Sequence, residues 1–206
     1  MPMDINESQI KAINHNKGPM LVLAGPGSGK TLVITRRTAN LIEEYGVNPR
    51  NILVITFTKA AAEEMKERFG RLTSGKCNGV NFGTFHAVFF TILKYAYGFQ
   101  ASNIIREEQR YQYMRDIIEQ NNLEIEDEKD FISGIFSEIS LVKGEGLDLE
   151  HYYSISCSEE IFKKIYEAYD NRLRRANLID FDDMLVLCYE LLRERQDILA
   201  IWQKKF

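Results

Sequence analysis

The chain has 206 residues, 45% of them hydrophobic and 27% charged, a balance that suits one globular unit or two small ones and argues against disorder. No apolar run approaches the ~20 residues of a membrane span, and the N-terminal "MPMDINESQI" lacks the apolar core of a signal peptide, so a cytoplasmic protein without membrane contact is expected. Net charge is −4, yet residues 1–105 hold 12 Lys and Arg against 7 Asp and Glu while residues 106–206 hold 14 against 23. That change of sign suggests two functional halves, or equally an acidic, solvated helical region beside an α/β one.

The first predicted element is a short helix in "NESQIKAINH", with Asn6 as cap and Gln9 three residues on in capping-box spacing. Met20–Ala24 reads as a short buried strand between Gly18-Pro19 and a glycine loop. A helix from about Gly29 to Tyr45 follows, stopped by Gly46 with Pro49 beyond. "NILVITF" (51–57) is a second buried strand, after which Thr58 caps a helix that Gly70 should end. "VNFGTF" (80–85) fits a third strand and leads into an apolar helix, about Thr84 to Tyr97, closed by Gly98. The fold class is therefore α/β. Beyond residue 105 the strand signal ends. "REEQRYQYMRDIIEQ", "DFISGIFSEISLV", "SEEIFKKIYEAYDNRLRRA" and "DFDDMLVLCYELLRER" all carry apolar residues at helical spacing. The three cysteines, Cys77, Cys157 and Cys188, are odd in number and widely spaced, which predicts free thiols, and the three histidines show no metal-ligand spacing.

The strongest motif is "AGPGSGKT", residues 24–31. With a strand entering and a helix leaving, backbone N–H groups from Gly27 to Thr31 can converge on one spot, and the helix N-terminus adds partial positive charge. Gly25, Gly27 and Gly29, with Pro26 and Ser28 between them, let the backbone wrap an oxyanion. Lys30 can reach β- and γ-phosphates, and the Thr31 hydroxyl is placed for Mg²⁺. The pattern is G-x-x-x-x-G-K-[ST] with Ala24 at the first glycine. A nucleoside-triphosphate site follows.

Four further stretches accompany the loop: "INESQ" (5–9), "TFTKAAAEEM" (56–65), "GTFHA" (83–87) and a helical region ending in "LIDFDDML" (178–185). In this order, and over nearly the whole chain, they resemble the UvrD/Rep/PcrA-type superfamily 1 DNA helicases. The resemblance implies a RecA-like parallel sheet with a mostly helical inserted subdomain: residues 1–105 as P-loop portion, 106–195 as insertion and 196–206 returning toward the motor domain. It further implies ATP and Mg²⁺ as cofactors, Gln9 on the adenine edge, and Thr56, Phe57, Thr58, Thr84, Phe85 and His86 along single-stranded DNA. The partners are then single strands and their junctions with duplex. Strand tips can serve this way, because threonine and backbone groups hold phosphates while a phenyl face stacks on any base. Taken singly, Phe57 and Phe85 also suit core positions, Thr58 a helix cap and His86 a structural role. The chain departs from the family pattern in two places. Lys59 and Ala60 stand where Asn and Lys are common, and Leu32 replaces an arginine expected against the base.

In the helical half, Asp180, Asp182 and Asp183 sit beside Arg172, Arg174 and Arg175, but Asp180 is better read as an N-cap with the other two acids in the first helical turn than as a metal ligand. Tyr152, Tyr153, Tyr166 and Tyr169 are read as packing residues. No acid follows a four-residue apolar strand, as a hydrolytic Mg²⁺ site requires. The acid pair and arginine finger of the family are therefore expected downstream of "AIWQKKF", and the 206 residues are read as an N-terminal portion with negligible hydrolysis of its own. Two rival readings are a P-loop kinase or other NTPase with a helical lid, and a non-enzymatic module that binds nucleotide or DNA.

Overall fold

The computed structural model describes residues 5–123 and 125–206; residues 1–4, on which part of the signal-peptide reading falls, lie outside them. Among the described residues the elements run α1 (Glu7–Asn14), α2 (Lys30–Glu43), β1 (Leu53–Thr56), α3 (Lys59–Leu72), β2 (Asn81–Thr84), α4 (Phe85–Tyr97), α5 (Glu107–Gln120), α6 (Glu128–Glu145), α7 (Glu159–Arg175), α8 (Phe181–Glu194) and α9 (Gln196–Lys205). Single 3₁₀ turns occur at Pro49–Asn51, Ala101–Asn103 and Leu149–His151. The protein is mostly helical α/β with a small parallel sheet. None of the described helices is long and apolar enough to cross a membrane.

Two compact units emerge, Met1–Ala87 with Leu199–Phe206, and Val88–Ile198. The first is built on a βαβ turn. β1 and β2 pair in parallel, Leu53 opposite Asn81 and Thr56 opposite Thr84, with α3 as the crossover. Phe69 of α3 is buried, its ring 5.5 Å from that of Phe82 on β2. α1 is fastened to α2 by side chains that reach main-chain carbonyls: Arg37 Nη1 donates to Ala12 O at 3.0 Å and Asn40 Nδ2 to Ile13 O at 3.3 Å. The buried part of this unit is small, made of residues such as Ala12, Ala39, Ile52, Ala62 and Phe69.

The second unit is helical, with a core in which Met114, Ile117, Ile132, Ile135, Ile139, Phe162, Ile165 and Leu173 are almost fully enclosed. Each such side chain contributes roughly 1.5–3 kcal/mol by leaving water. An isolated parallel bridge, Ile104 to Ile179, ties the segment before α5 to the segment before α8, reinforced by Asn103 Nδ2 donating to Asn177 O at 2.8 Å.

Local signals held. The Asn6–Gln9 capping box forms, Thr58 caps α3 by accepting from the Ala61 N–H at 3.2 Å, and Asp180 and Asp183 make a second capping box on α8. Three expectations are corrected. Met20–Ala24 is extended but not a buried strand: no strand among the described residues pairs with it, and Leu21 and Leu23 are 84% and 89% exposed. The apolar run was legible, but a strand also needs a neighbour for its N–H and C=O groups. Strands 51–57 and 80–85 form over four residues each, and the first, expected to be buried, is half-buried. Gly70 does not end α3, which continues to Leu72, because the helical hydrogen bonds tolerate one glycine at a cost near 1 kcal/mol. All three cysteines are free.

Candidate functional site

The glycine loop turns tightly. The Ser28 hydroxyl donates to Gly25 O at 2.7 Å, and Gly27 and Gly29 take φ of +73° and +81°, the left-handed region that a side chain would strain. Gly29 is the N-cap of α2 and makes no side-chain cap bond, so the first turn, Lys30 to Leu32, keeps N–H groups that the helix itself cannot satisfy. The first helical bond is the Val33 N–H donating to Gly29 O at 3.0 Å. Lys30 folds back over the loop, its Nζ donating to Gly25 O at 2.8 Å and to Ala24 O at 3.3 Å. The ammonium thus lies where the loop N–H groups also gather positive charge, a setting for a polyanion.

Gln9 reaches this loop from α1. Its Nε2 donates to Ser28 O at 3.0 Å, while its Oε1 accepts from the Asn6 N–H at 3.0 Å. Asn6, Gln9, Gly25, Ser28 and Lys30, with apolar Ala12, Met20, Val22, Val33 and Ile34, line a cavity of about 390 Å³, within the range of small-molecule sites. Arg37, which sequence reasoning missed, also lines it. Burial lowers its pKa against a smaller opposing effect of Tyr45. Its signal was only an arginine on the apolar face of α2.

Thr56 and Thr84 end β1 and β2 directly opposite one another, so the residues that follow share one end of the sheet. Phe57 is 87% exposed and Phe85 partly so, their ring centroids 5.5 Å apart at 44°. Both threonine hydroxyls at the helix starts are caps: Thr58 for α3, and Thr84 Oγ1 accepting from the Ala87 N–H at 3.2 Å. His86 lies in the first turn of α4. Lys59 is exposed and pairs only loosely, at 3.7 Å, with Glu63 one turn on.

The acids of "LIDFDD" are occupied by protein. Lys143, its side chain only 5% exposed, donates to Asp180 Oδ2 at 3.0 Å and to Asp183 Oδ1 at 2.6 Å, and Ser140 Oγ donates to Asp182 at 2.6 Å. Burial works against the ammonium, but the two carboxylates outweigh it and raise the Lys143 pKa. The same ammonium, against the burial effect, holds Asp180 below the ordinary carboxylate range. Lys143 lay some forty residues away in sequence and nothing flagged it. Of the four tyrosines, Tyr169 is buried with its hydroxyl donating to Asp180 at 3.2 Å, Tyr152 donates to Glu138 at 3.0 Å, and Tyr166 packs on the core. Tyr153 departs from the packing role, standing 75% exposed on a loop.

Residues 5–206 match the family model described as UvrD/REP helicase N-terminal domain. Relatives include DNA helicase II of Rickettsia typhi (37% identical, 98% of this chain and 32% of that protein), the ATP-dependent DNA helicase Rep of Escherichia coli (35%, 98% and 31%) and the ATP-dependent DNA helicase PcrA of Leuconostoc citreum (34%, 98% and 28%). The chain spans about three tenths of the length of these relatives.

Proposed function

The chain belongs to the UvrD/REP helicase N-terminal domain family, and on that premise we propose that it is the ATP- and single-strand-binding portion of a helicase that moves along DNA and separates duplex at the expense of ATP. The loop of residues 24–31 holds the triphosphate: backbone N–H groups at the start of α2 and the Lys30 ammonium compensate phosphate charge, and the Thr31 hydroxyl holds Mg²⁺. The residues fit that group, because the left-handed glycines leave the anion cradle open and the helix end carries no acid of its own. Bound there, Mg²⁺ would neutralise charge on the phosphate oxygens. Gln9 faces the adenine. Residues 1–105 form the P-loop portion of a RecA-like motor domain, residues 106–195 the inserted subdomain, and 196–206 lead back to the motor domain.

At the sheet end, Thr56, Phe57, Thr58, Thr84, Phe85 and His86 line the path of the single strand, with Phe57 offering a face to a base. The exposed Phe57 beside Phe85 supports this, since an aromatic pair at a strand tip is costly in water unless something stacks on it.

The observation that carries the proposal is the uncapped, glycine-started α2 with Lys30 folded across its mouth. Titration calorimetry with MgATP tests it. Lys30→Ala removes a charge-assisted contact worth roughly 1.5–3 kcal/mol, which weakens binding by about one to two orders of magnitude with the fold intact. Unchanged affinity would overturn the loop's assignment.

A further inference from the structure

Asn6 and Gln9 share more than a helix cap. The Gln9 N–H donates to Asn6 Oδ1 at 2.9 Å, the Asn6 N–H donates back to Gln9 Oε1 at 3.0 Å, and Gln9 Nε2 donates to the Ser28 carbonyl at 3.0 Å. A Cβ on Gly29 would lie 3.1 Å from that Nε2, so glycine there lets the amide close on the loop. A carboxamide has two acceptor positions on oxygen and two hydrogens on nitrogen. The protein takes one of each. One acceptor and one donor remain, on a planar group whose orientation is fixed from both ends. Turning it over would set the NH₂ against the Asn6 N–H and the oxygen against the Ser28 carbonyl, two mismatches at once.

Resting on the reading of Gln9 as the base-facing residue, we infer that Asn6 is a positioning residue for nucleobase selection. It holds Gln9 in the orientation whose remaining acceptor and donor meet the amino group and N7 of adenine, whereas guanine presents two acceptors, O6 and N7, to the same atoms. Asn6 acts through Gln9. Its side chain keeps the first turn of α1 wound so that Gln9 projects toward the loop, and its N–H decides which end of the amide is oxygen.

The test is displacement of a fluorescent nucleotide by ATP, GTP and inorganic triphosphate from the full chain, with circular dichroism on each variant. Wild type and Asn6→Ser, which keeps both the side-chain acceptor and the N–H, prefer ATP over GTP by roughly 5- to 150-fold, the range of one good bidentate base contact. Asn6→Pro keeps a backbone near the φ of −80° at this position but deletes the N–H together with the side-chain acceptor, and Asn6→Ala deletes the acceptor alone. Both bring the ratio toward that of Gln9→Ala while triphosphate affinity stays at the wild-type level. If both keep the wild-type ratio while Gln9→Ala loses it, the role of Asn6 is overturned and Gln9 still reads the base. If Gln9→Ala also keeps it, the base reading itself falls. Equal loss of ATP, GTP and triphosphate in the Asn6 variants would place Asn6 in the folding of the loop alone, which also overturns the inference.

Discussion

Two helix N-termini in this protein meet the same electrostatic demand in opposite ways. α8 brings its own anions: Asp180 and Asp183 close a capping box over its first turn, and Lys143 neutralises them from α6. α2 begins at Gly29 with no side-chain cap, and the charge nearest it is the Lys30 ammonium. Each helix start carries partial positive charge and unsatisfied N–H groups. At α8 the sequence answers them internally, and at α2 no side-chain cap does so. The same contrast extends to the units around them. The helical unit encloses its apolar side chains, whereas the P-loop unit leaves Leu21, Leu23 and Phe57 facing outward. Function is read here from what a unit leaves unsatisfied, and stability from what it closes.

The contrast breaks most visibly at Lys143. Lys143→Met removes the cation that donates to both the buried Asp180 and the half-buried Asp183, and uncompensated buried charge costs about 3–5 kcal/mol. Chemical denaturation of the variant should show that loss, and it should shrink in acid as the carboxylates protonate. Nucleotide affinity should remain at the wild-type level. Should the variant prove as stable as wild type, the start of α8 would not be closed by an ion network.

The opposite perturbation is made on the open side. Phe57→Ala deletes an exposed ring, so stability should change by no more than about 0.5 kcal/mol. Affinity for an unstructured oligothymidylate should fall by roughly 1–3 kcal/mol, the worth of one base stack. Anisotropy titrations at two salt concentrations separate causes: the variant loses a stack and no charge, so its salt slope stays that of wild type. Equal binding by variant and wild type would remove Phe57 from the DNA path.

What could be read from sequence follows the range of the interaction. Caps at Asn6, Thr58 and Asp180 are three-residue events, and all three formed. β1, β2 and the helix between them were legible because apolar runs bounded by turn residues carry their own period. The candidate site was legible as residue types in the loop and at the two strand tips, but not as geometry. Gln9 touching Ser28 spans 19 residues, and the opposition of Thr56 to Thr84 depends on strand register. Burial of Met20–Ala24 was overcalled because hydrophobicity states a demand and not the presence of a neighbour that meets it. Lys143 was invisible for the converse reason: a lysine on an apolar helix face reads as a misfit until the carboxylates 37 and 40 residues on are brought to it.

A second closed acid gives the smallest and most specific test. Glu138, buried on α6, accepts from the Tyr152 hydroxyl at 3.0 Å and from the Ile155 and Ser156 N–H groups at 3.1 and 3.0 Å, which pins the loop that displays Tyr153. Gly134 lets this loop approach, since a Cβ there would lie 2.8 Å from Ser156 Oγ. Burial alone would raise the Glu138 pKa, but hydrogen bonds from Ser156, Ser154, Tyr152 and Ile155 together bring it below the ordinary 4.5. With the folded value lowered, the unfolded chain takes up the proton first as pH falls. The stabilisation is therefore present above about pH 4.5 and is lost as pH drops through the folded value. Glu138→Gln cannot titrate, so its stability should fall less steeply than that of wild type between neutral pH and the acid limb, and proteolysis near Tyr153 should become pH-independent over that window. If both proteins lose stability in parallel across it, the loop is held by packing at Gly134 and Tyr152 and not by the charge on Glu138.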